Sequence, residues 1–309
     1  MNHPAGGLRS WVRDWPATLA PVCPTCRLAL VEVPAASGDA TGAAGPAVIC
    51  PGCRQAMRIG PDGRHLDFSA FLAASETAAV RKVGLAYRFY ALAYAPLALL
   101  NMLTVWRAGL GTLVRHYARA LGGGEGNHGG SCPCPVLAGT PAPVSDTGPI
   151  LDVAIGDGAL TALTLRVGRI DPEIVGLDIS ADMLGRARRT LGGNPRFRSV
   201  LADARRLPFA GGTFRRVCCY GGLHVMAHPE EALAAMAAVL APGGRFFASI
   251  LLRPGGRFPA HLARRYVELG FLSSTFDEEE ILELVRQAGL QPLEVVHNGR
   301  MLLLEAVRG

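Results

Sequence analysis

Ile150-Leu151-Asp152-Val153-Ala154-Ile155-Gly156-Asp157-Gly158-Ala159-Leu160 decides how the rest of the chain is read. Ile150 to Val153 is an apolar run broken only by Asp152, the pattern of a short buried strand. Gly156 and Gly158 follow, and Ala159 to Leu163 opens a helix-like stretch. A strand that ends on a glycine turn and feeds a helix lets the backbone approach a ligand closely, with the helix N-terminus facing the same crevice. The turn therefore reads as a nucleotide-type site. A dinucleotide fingerprint needs a third glycine, and that position is Thr161. A phosphate-cradling loop needs a Lys-Ser/Thr pair that the turn does not have.

Outward from the turn, strand-like runs at 150–154, 173–178, 196–201, 214–220, 245–252, 292–298 and 301–307 alternate with helical stretches near 158–168, 181–191, 229–240 and 277–288. This alternation predicts an α/β, Rossmann-like sheet of seven strands, mostly parallel. Only Gly299-Arg300 separates the last two runs, so a C-terminal hairpin brings in one antiparallel strand. The acidic run Asp277 to Glu280 fits the first turn of a helix, where the dipole favours it.

The second strand ends at Asp178, about twenty residues past the turn, where a carboxylate can accept from both ribose hydroxyls. The third leads to Asp203 and Ala204, placed to accept from an adenine amino group and to donate a backbone N–H. Leu207-Pro208-Phe209 should pack near the base. The fourth ends at Tyr220, and Gly221-Gly222-Leu223-His224 opens the crevice.

In order, these motifs are Leu151-Asp152-Val153-x-x-Gly156-x-Gly158, then Gly176-Leu177-Asp178-Ile179-Ser180-x-x-Met183-Leu184, then Ala202-Asp203-Ala204-x-x-Leu207-Pro208-Phe209, Leu223-His224, and Val239-Leu240-x-Pro242-Gly243-Gly244-Arg245. The set resembles the class I S-adenosylmethionine-dependent methyltransferases, in particular the ubiquinone/menaquinone-type and other small-molecule branch. The resemblance covers 150–252 closely and the rest of the C-terminal half loosely. It implies S-adenosylmethionine as cofactor, bound by Asp152, Ala154, Gly156, Gly158, Asp178, Ile179, Met183, Asp203, Ala204 and Tyr220. Two residues depart from the pattern. Ala154 stands where the family has its first glycine, and Phe214-Arg215 stands where it has Phe-Asp. Methyl transfer is an in-line displacement in which the protein mainly aligns and desolvates. Where the acceptor must lose a proton, His224 is the candidate base. A structural histidine capping the strand end is the competing reading. His228 and Tyr220 read as a turn residue and a pocket wall.

The N-terminal part has a different chemistry. Four of the eight cysteines form Cys23-Pro24-Thr25-Cys26 and Cys50-Pro51-Gly52-Cys53, separated by twenty-three residues. Two such turns offer Cys23, Cys26, Cys50 and Cys53 as the four soft ligands of a closed, structural Zn2+ site. Val31 to Val33 and Met57 to Ile59 are strand-like, so 18–70 reads as a zinc ribbon that needs its ion to fold. Residues 1–20 lack the apolar core of a secretory leader, which favours metal over disulfides and a cytoplasmic location. A four-cysteine module ahead of such a catalytic half also resembles a group of bacterial and chloroplast methyltransferases.

Charge is balanced in 1–77 and in 122–309, so the net +6 resides in 78–121, which has six basic residues and no acid. Residues 76–121 read as helical with a possible break at Pro96. Phe89 to Val105 carries no charge. A buried cap helix over the site is one reading. The other is a basic, apolar lid that recruits a lipophilic or anionic substrate, or touches a membrane surface through 84–107. Residues 122–149 form a Gly/Pro-rich linker, in which Cys132-Pro133-Cys134 gives no metal spacing. The catalytic domain is then 150–309.

The function expected is methyl transfer to an O or C atom of a small, apolar or anionic acceptor. An RNA-base methyltransferase with the ribbon as reader is the alternative. A net-neutral ribbon poor in aromatics argues against nucleic acid as partner. A non-catalytic cofactor-fold protein is the third reading, supported only by Ala154. Neither the lid nor 253–276 carries a code for the acceptor.

Overall fold

The sheet predicted from residue 150 onward is present, and the four-cysteine module extends it. The computed structural model describes residues 15–33, 47–60, 62–72, 104, 106–123, 148–253, 261, 264–265, 267–268 and 272–309. Residues 124–147 of the predicted linker, which include Cys132 and Cys134, lie outside the described residues, as do Pro96 and most of the predicted lid.

The module contributes four short strands, β1 (Val31–Val33), β2 (Ala47–Ile49), β3 (Ala56–Ile59) and β4 (His65–Asp67). The C-terminal half contributes β5 (Ile150–Val153), β6 (Ile174–Asp178), β7 (Phe197–Leu201), β8 (Phe214–Tyr220), β9 (Leu240–Leu251), β10 (Leu290–Asn298) and β11 (Met301–Arg308). All belong to one sheet in the order β1-β2-β3-β4-β7-β6-β5-β8-β9-β11-β10. Strands β4 to β9 run parallel where they meet, and β11 inserts antiparallel between β9 and β10. The expected antiparallel strand therefore lies one place in from the edge, and β10 is the edge strand. Pro292 fits there, because an edge strand can do without one ladder donor, and a register shift falls at Pro292/Glu294.

The helices are α1 (Leu110–Ala120), α2 (Ala159–Gly168), α3 (Ala181–Leu191), α4 (Pro229–Val239) and α5 (Glu278–Gln287). Their ends follow the sequence. Ser180 Oγ accepts from Met183 N at 3.3 Å, Pro229 occupies the first turn of α4, and Glu280 reaches back to Asp277 N at 3.3 Å. Leu240 to Gly244, ahead of the strand predicted at 245–252, forms a bulged start of β9. Leu240 pairs with Phe214, and the register then jumps to Arg216–Arg245. The predicted helix over 76–121 is interrupted in its described part. Thr104 is helical, Trp106 to Gly109 is not, Arg107 takes a left-handed φ of 51°, and α1 begins at Leu110.

The module is not a separate body with its own small core. Trp15, Leu19, Leu30, Val48, Met57, Leu66 and Phe68 belong to one continuous buried cluster with Leu151, Val175, Val200, Phe209 and Phe214. This sharing removes apolar surface that four short strands could not bury by themselves. On the opposite face, α1 packs through Leu113, Tyr117 and Ala120 into a second cluster with Ile150, Cys218 and Leu303. Arg119 anchors α1 to Glu294 and Glu305 at 2.6 and 2.7 Å, and Arg245 also reaches Glu305. Among the described residues no helix is long and apolar enough to cross a membrane.

Candidate active site and four-cysteine centre

The turn after β5 is made by three left-handed residues at alternate positions: Ala154 (φ 59°), Gly156 (φ 61°) and Gly158 (φ 74°). An alanine held there costs about 1 kcal/mol. Its methyl has room because residue 222 is glycine. A Cβ on Gly222 would lie 2.8 Å from the Ala154 Cβ. Gly158 has its own reason, since a Cβ there would come within 3.3 Å of Ala187 Cα on α3. Around Gly156 a Cβ would meet nothing within 4 Å, so the backbone faces open space.

Asp178, at the end of β6, braces this turn. Its Oδ2 accepts from Gly156 N at 2.9 Å and its Oδ1 from Ser180 N at 2.8 Å. Each oxygen keeps lone-pair capacity for a ligand donor. Burial raises the carboxyl's pKa, and these backbone donors oppose the rise. Ile179 is half-buried beside it, and Met183 is buried on the first turn of α3. Asp203 follows β7 and is buried, with Ala204 beside it. Arg205 grips its carboxylate through Nε at 3.0 and 3.1 Å and Nη2 at 2.7 Å. Leu207 and Phe209 are fully buried within the core shared with the four-cysteine module.

Asp152 lies beneath the turn. It is 1% exposed, and its Oδ2 accepts from the Tyr117 hydroxyl and from Thr161 Oγ1, the latter at 3.1 Å. Burial pushes its pKa up to about 7, against the pull of those two donors. Thr161 thus does in this turn what a third glycine could not. Tyr220 is stacked on Tyr117, with ring centroids 3.9 Å apart, and its hydroxyl is 2.6 Å from His116 Nδ1. Sequence reading missed His116 and Tyr117. The only signal is an apolar stripe, Leu113, Tyr117 and Ala120, and a stripe says which face is buried, not which hydroxyl finds a carboxylate.

His224 sits on a 3-10 turn, Leu223–Val225, directly after β8. Its carbonyl accepts from Ser273 N at 2.8 Å and Ser274 N at 3.2 Å, so it pins the segment before α5. Its ring is buried, and burial pushes its pKa down to about 4. Nδ1 is buried with no partner among the described residues. The ring is therefore neutral at physiological pH, able to accept a hydrogen bond but a weak proton store. His228 is exposed and lies 3.3 Å from Glu230, as a turn residue would.

With this geometry in place, residues 150–244 match the family described as a methyltransferase domain. The ubiquinone/menaquinone biosynthesis C-methyltransferase of Stutzerimonas stutzeri is 44% identical over 101 residues, 31% of this chain and 39% of that protein. The demethylmenaquinone methyltransferase of Clavibacter sepedonicus is 36% identical over 120 residues, 39% of this chain and 46% of that protein. The chain thus spans less than half the length of these relatives. Among solved structures, a methyltransferase of Thermotoga maritima described as a possible histamine N-methyltransferase aligns with TM-score 0.48 and 16% identity, covering 72% of this chain and 98% of that one. The open space at Gly156 and the free capacity of Asp178 fit the expected S-adenosylmethionine.

The four predicted cysteines meet in the N-terminal module. Their sulfurs all lie within 4.8 Å of one another, Cys23 and Cys53 Sγ are 3.7 Å apart, and none is in a disulfide. A tetrahedron with Zn–S of about 2.3 Å has edges of about 3.8 Å, so the spacing fits zinc. Each pair closes the same knuckle. Arg27 N donates to Cys23 O, and Arg54 N to Cys50 O, both at 2.9 Å. Backbone donors from Cys53 and Gly52 pull Cys50 down to about 7, whereas the neighbouring Cys53 thiol pushes Cys26 up to about 12. Four crowded thiols favour deprotonation together only around a cation.

Proposed function

We propose that this chain transfers a methyl group from S-adenosylmethionine to a carbon or oxygen atom of a small apolar or anionic acceptor. The observation that carries the reading is the Asp178–Gly156 brace, a buried carboxylate with spare acceptor capacity beside an open left-handed turn. The names of the matched relatives favour the carbon-methylating form, with an acceptor of quinone or quinol type.

When bound, the cofactor supplies an activated methyl group and its own leaving group. Asp178 would hold the ribose hydroxyls, and the Gly156–Gly158 backbone would take the adjoining chain. Asp203 with Ala204 would meet the base, with Ile179 and Met183 packing beside it. Tyr220 would wall the pocket. His224, neutral and partnerless at Nδ1, would accept a hydrogen bond from the acceptor. The four-cysteine module would hold a structural zinc ion, and the segment before α1 would cover the acceptor.

Calorimetric titration with S-adenosylmethionine tests the site. The wild type should bind, and Asp178→Ala should lose binding by more than about tenfold, since two hydroxyls lose a charged acceptor. Unchanged affinity in that variant would show the assignment to be wrong. Labelled-methyl transfer to apolar quinols, set against transfer to RNA, separates the acceptor classes.

A further inference from the structure

The loop that carries Asp203 and Ala204 is held at both ends by the four-cysteine module. On its upstream side, β4 pairs parallel with β7 in the register His65–Ser199, Leu66–Val200 and Asp67–Leu201. Phe68 N adds a bond to Leu201 O at 2.8 Å, and His65 Nδ1 lies 3.0 Å from Ser199 Oγ. Downstream, three consecutive carbonyls accept from the first cysteine knuckle. Leu207 O takes Arg27 Nη1 at 2.8 Å, Pro208 O takes Val22 N at 3.0 Å, and Phe209 O takes Arg27 Nη2. Residues 202–206 are the span between these two clamps.

Arg27 is an unusual choice for its position. It follows Cys26 directly and is left-handed, φ 59°, a conformation that glycine adopts without strain. Arg54 holds the equivalent place in the second knuckle with φ 60°. It is exposed and shows no such bridge among the described residues. Both knuckles thus share a backbone, but only the first sends a guanidinium across to the methyltransferase domain. Arg27 is itself largely solvent-exposed, so its leverage comes from spanning two carbonyls with one planar fork, not from burial.

We propose that Arg27 is a positioning residue for the cofactor site, through which metal held by the four cysteines and cofactor held at the Asp203 loop strengthen each other's binding. Metal fixes the knuckle, the knuckle aims Arg27, and Arg27 fixes the chain that leads out of the adenine subsite. The coupling must be reciprocal, because both ligands bias one arrangement. This inference rests on the cofactor reading above, and its test separates the two.

The full chain, loaded with zinc, is compared as wild type, Arg27→Gly, Arg27→Lys and Arg54→Gly. Glycine keeps the left-handed knuckle, so each variant should retain one zinc per chain. Arg27→Gly should weaken S-adenosylmethionine about three- to tenfold, the range for losing one bridging charged donor. Arg27→Lys should recover part of this, and Arg54→Gly should bind as wild type. Saturating S-adenosylmethionine should slow zinc release to a chelator in the wild type and not in Arg27→Gly. Amide hydrogen exchange over 202–209, measured without cofactor, should rise in Arg27→Gly, rise less in Arg27→Lys and stay unchanged in Arg54→Gly. Wild-type affinity and unchanged exchange in Arg27→Gly overturn the proposal. If the wild type gives no S-adenosylmethionine heat but the exchange difference remains, the cofactor reading fails while the clamp from knuckle to loop stands.

Discussion

Replacing Tyr117 by Phe should destabilise the protein in a pH-dependent way that reports the state of Asp152. The ring is fully buried and stacked on Tyr220, and phenylalanine keeps that packing. Only the hydroxyl is lost, with its bonds to Asp152 and, at 3.0 Å, to Thr161. Burial holds the Asp152 pKa at about 7, well above its ordinary value. In the wild type the native carboxyl therefore keeps its proton after the unfolded one has released it. The contribution of Asp152 to stability falls as pH rises from about 4 to about 7 and levels off above, at about 1.4 kcal/mol per pH unit for one proton. Near pH 6 the carboxyl is neutral, and losing a neutral hydrogen bond should cost about 1 kcal/mol. Near pH 8.5 it is ionised, and losing a bond to a charged group costs about 1.5–3 kcal/mol. The variant can escape by keeping its proton, which over 1.5 pH units costs about 2 kcal/mol beyond the neutral loss. The expected deficit is thus about 1 kcal/mol at the lower pH and about 2–3 kcal/mol at the higher. Urea unfolding at the two pH values, followed by tryptophan fluorescence and circular dichroism, measures it. A deficit that is equal at both, or larger at the lower pH, would refute a buried carboxyl titrating against Tyr117.

Further outcomes follow from the turn and from His224. Ala154→Gly should gain up to about 1 kcal/mol by relieving a left-handed alanine, less the entropy glycine adds to the unfolded chain, as read by thermal unfolding. Gly222→Ala should lose about 1–3 kcal/mol, because its Cβ would lie 2.7 Å from Cys219 Sγ and 2.8 Å from Ala154 Cβ. Adding Ala154→Gly should return part of that loss, and an additive double-mutant cycle would show that the two positions do not share the space. His116 and His224 are held neutral by burial, at about 3 and about 4. The unfolded chain takes up those protons first, so the contribution of the two histidines falls as pH drops from about 6.5 toward 4, opposing the contribution of Asp152 over the same range. His224→Gln should flatten part of that slope in urea midpoints. The wild-type rate profile should show no inflection from His224 near neutrality.

The fold of the C-terminal half was legible in sequence because its signals are local. Strand β8 and helix α3 fall on the predicted residues, and Asp178 meets Gly156 as strand–turn–helix spacing requires. The cysteine spacing was enough to bring four sulfurs together. Other features had no local signal. Strands β2 and β4 are three residues each, too short to show a period. Asp152 was assigned to the crevice on its place in the motif, but a motif does not encode how deep a side chain lies.

The sequence by itself determined the order of strands and helices from β5 onward, the glycine turn after β5, the carboxylates at the strand ends and the metal-type cysteine set. Each depends on residues near one another in the chain, where backbone geometry converts spacing directly into position. Tertiary structure alone decided that β4 lengthens the main sheet at β7, that Arg27 spans to Leu207 and Phe209, and that Tyr117 on α1 caps Asp152 on β5. Those contacts join residues 35 to 182 apart in sequence. They arise because exposed strand edges, carbonyls and a buried carboxylate must each find a partner. Which partner is near is fixed only once the elements have packed.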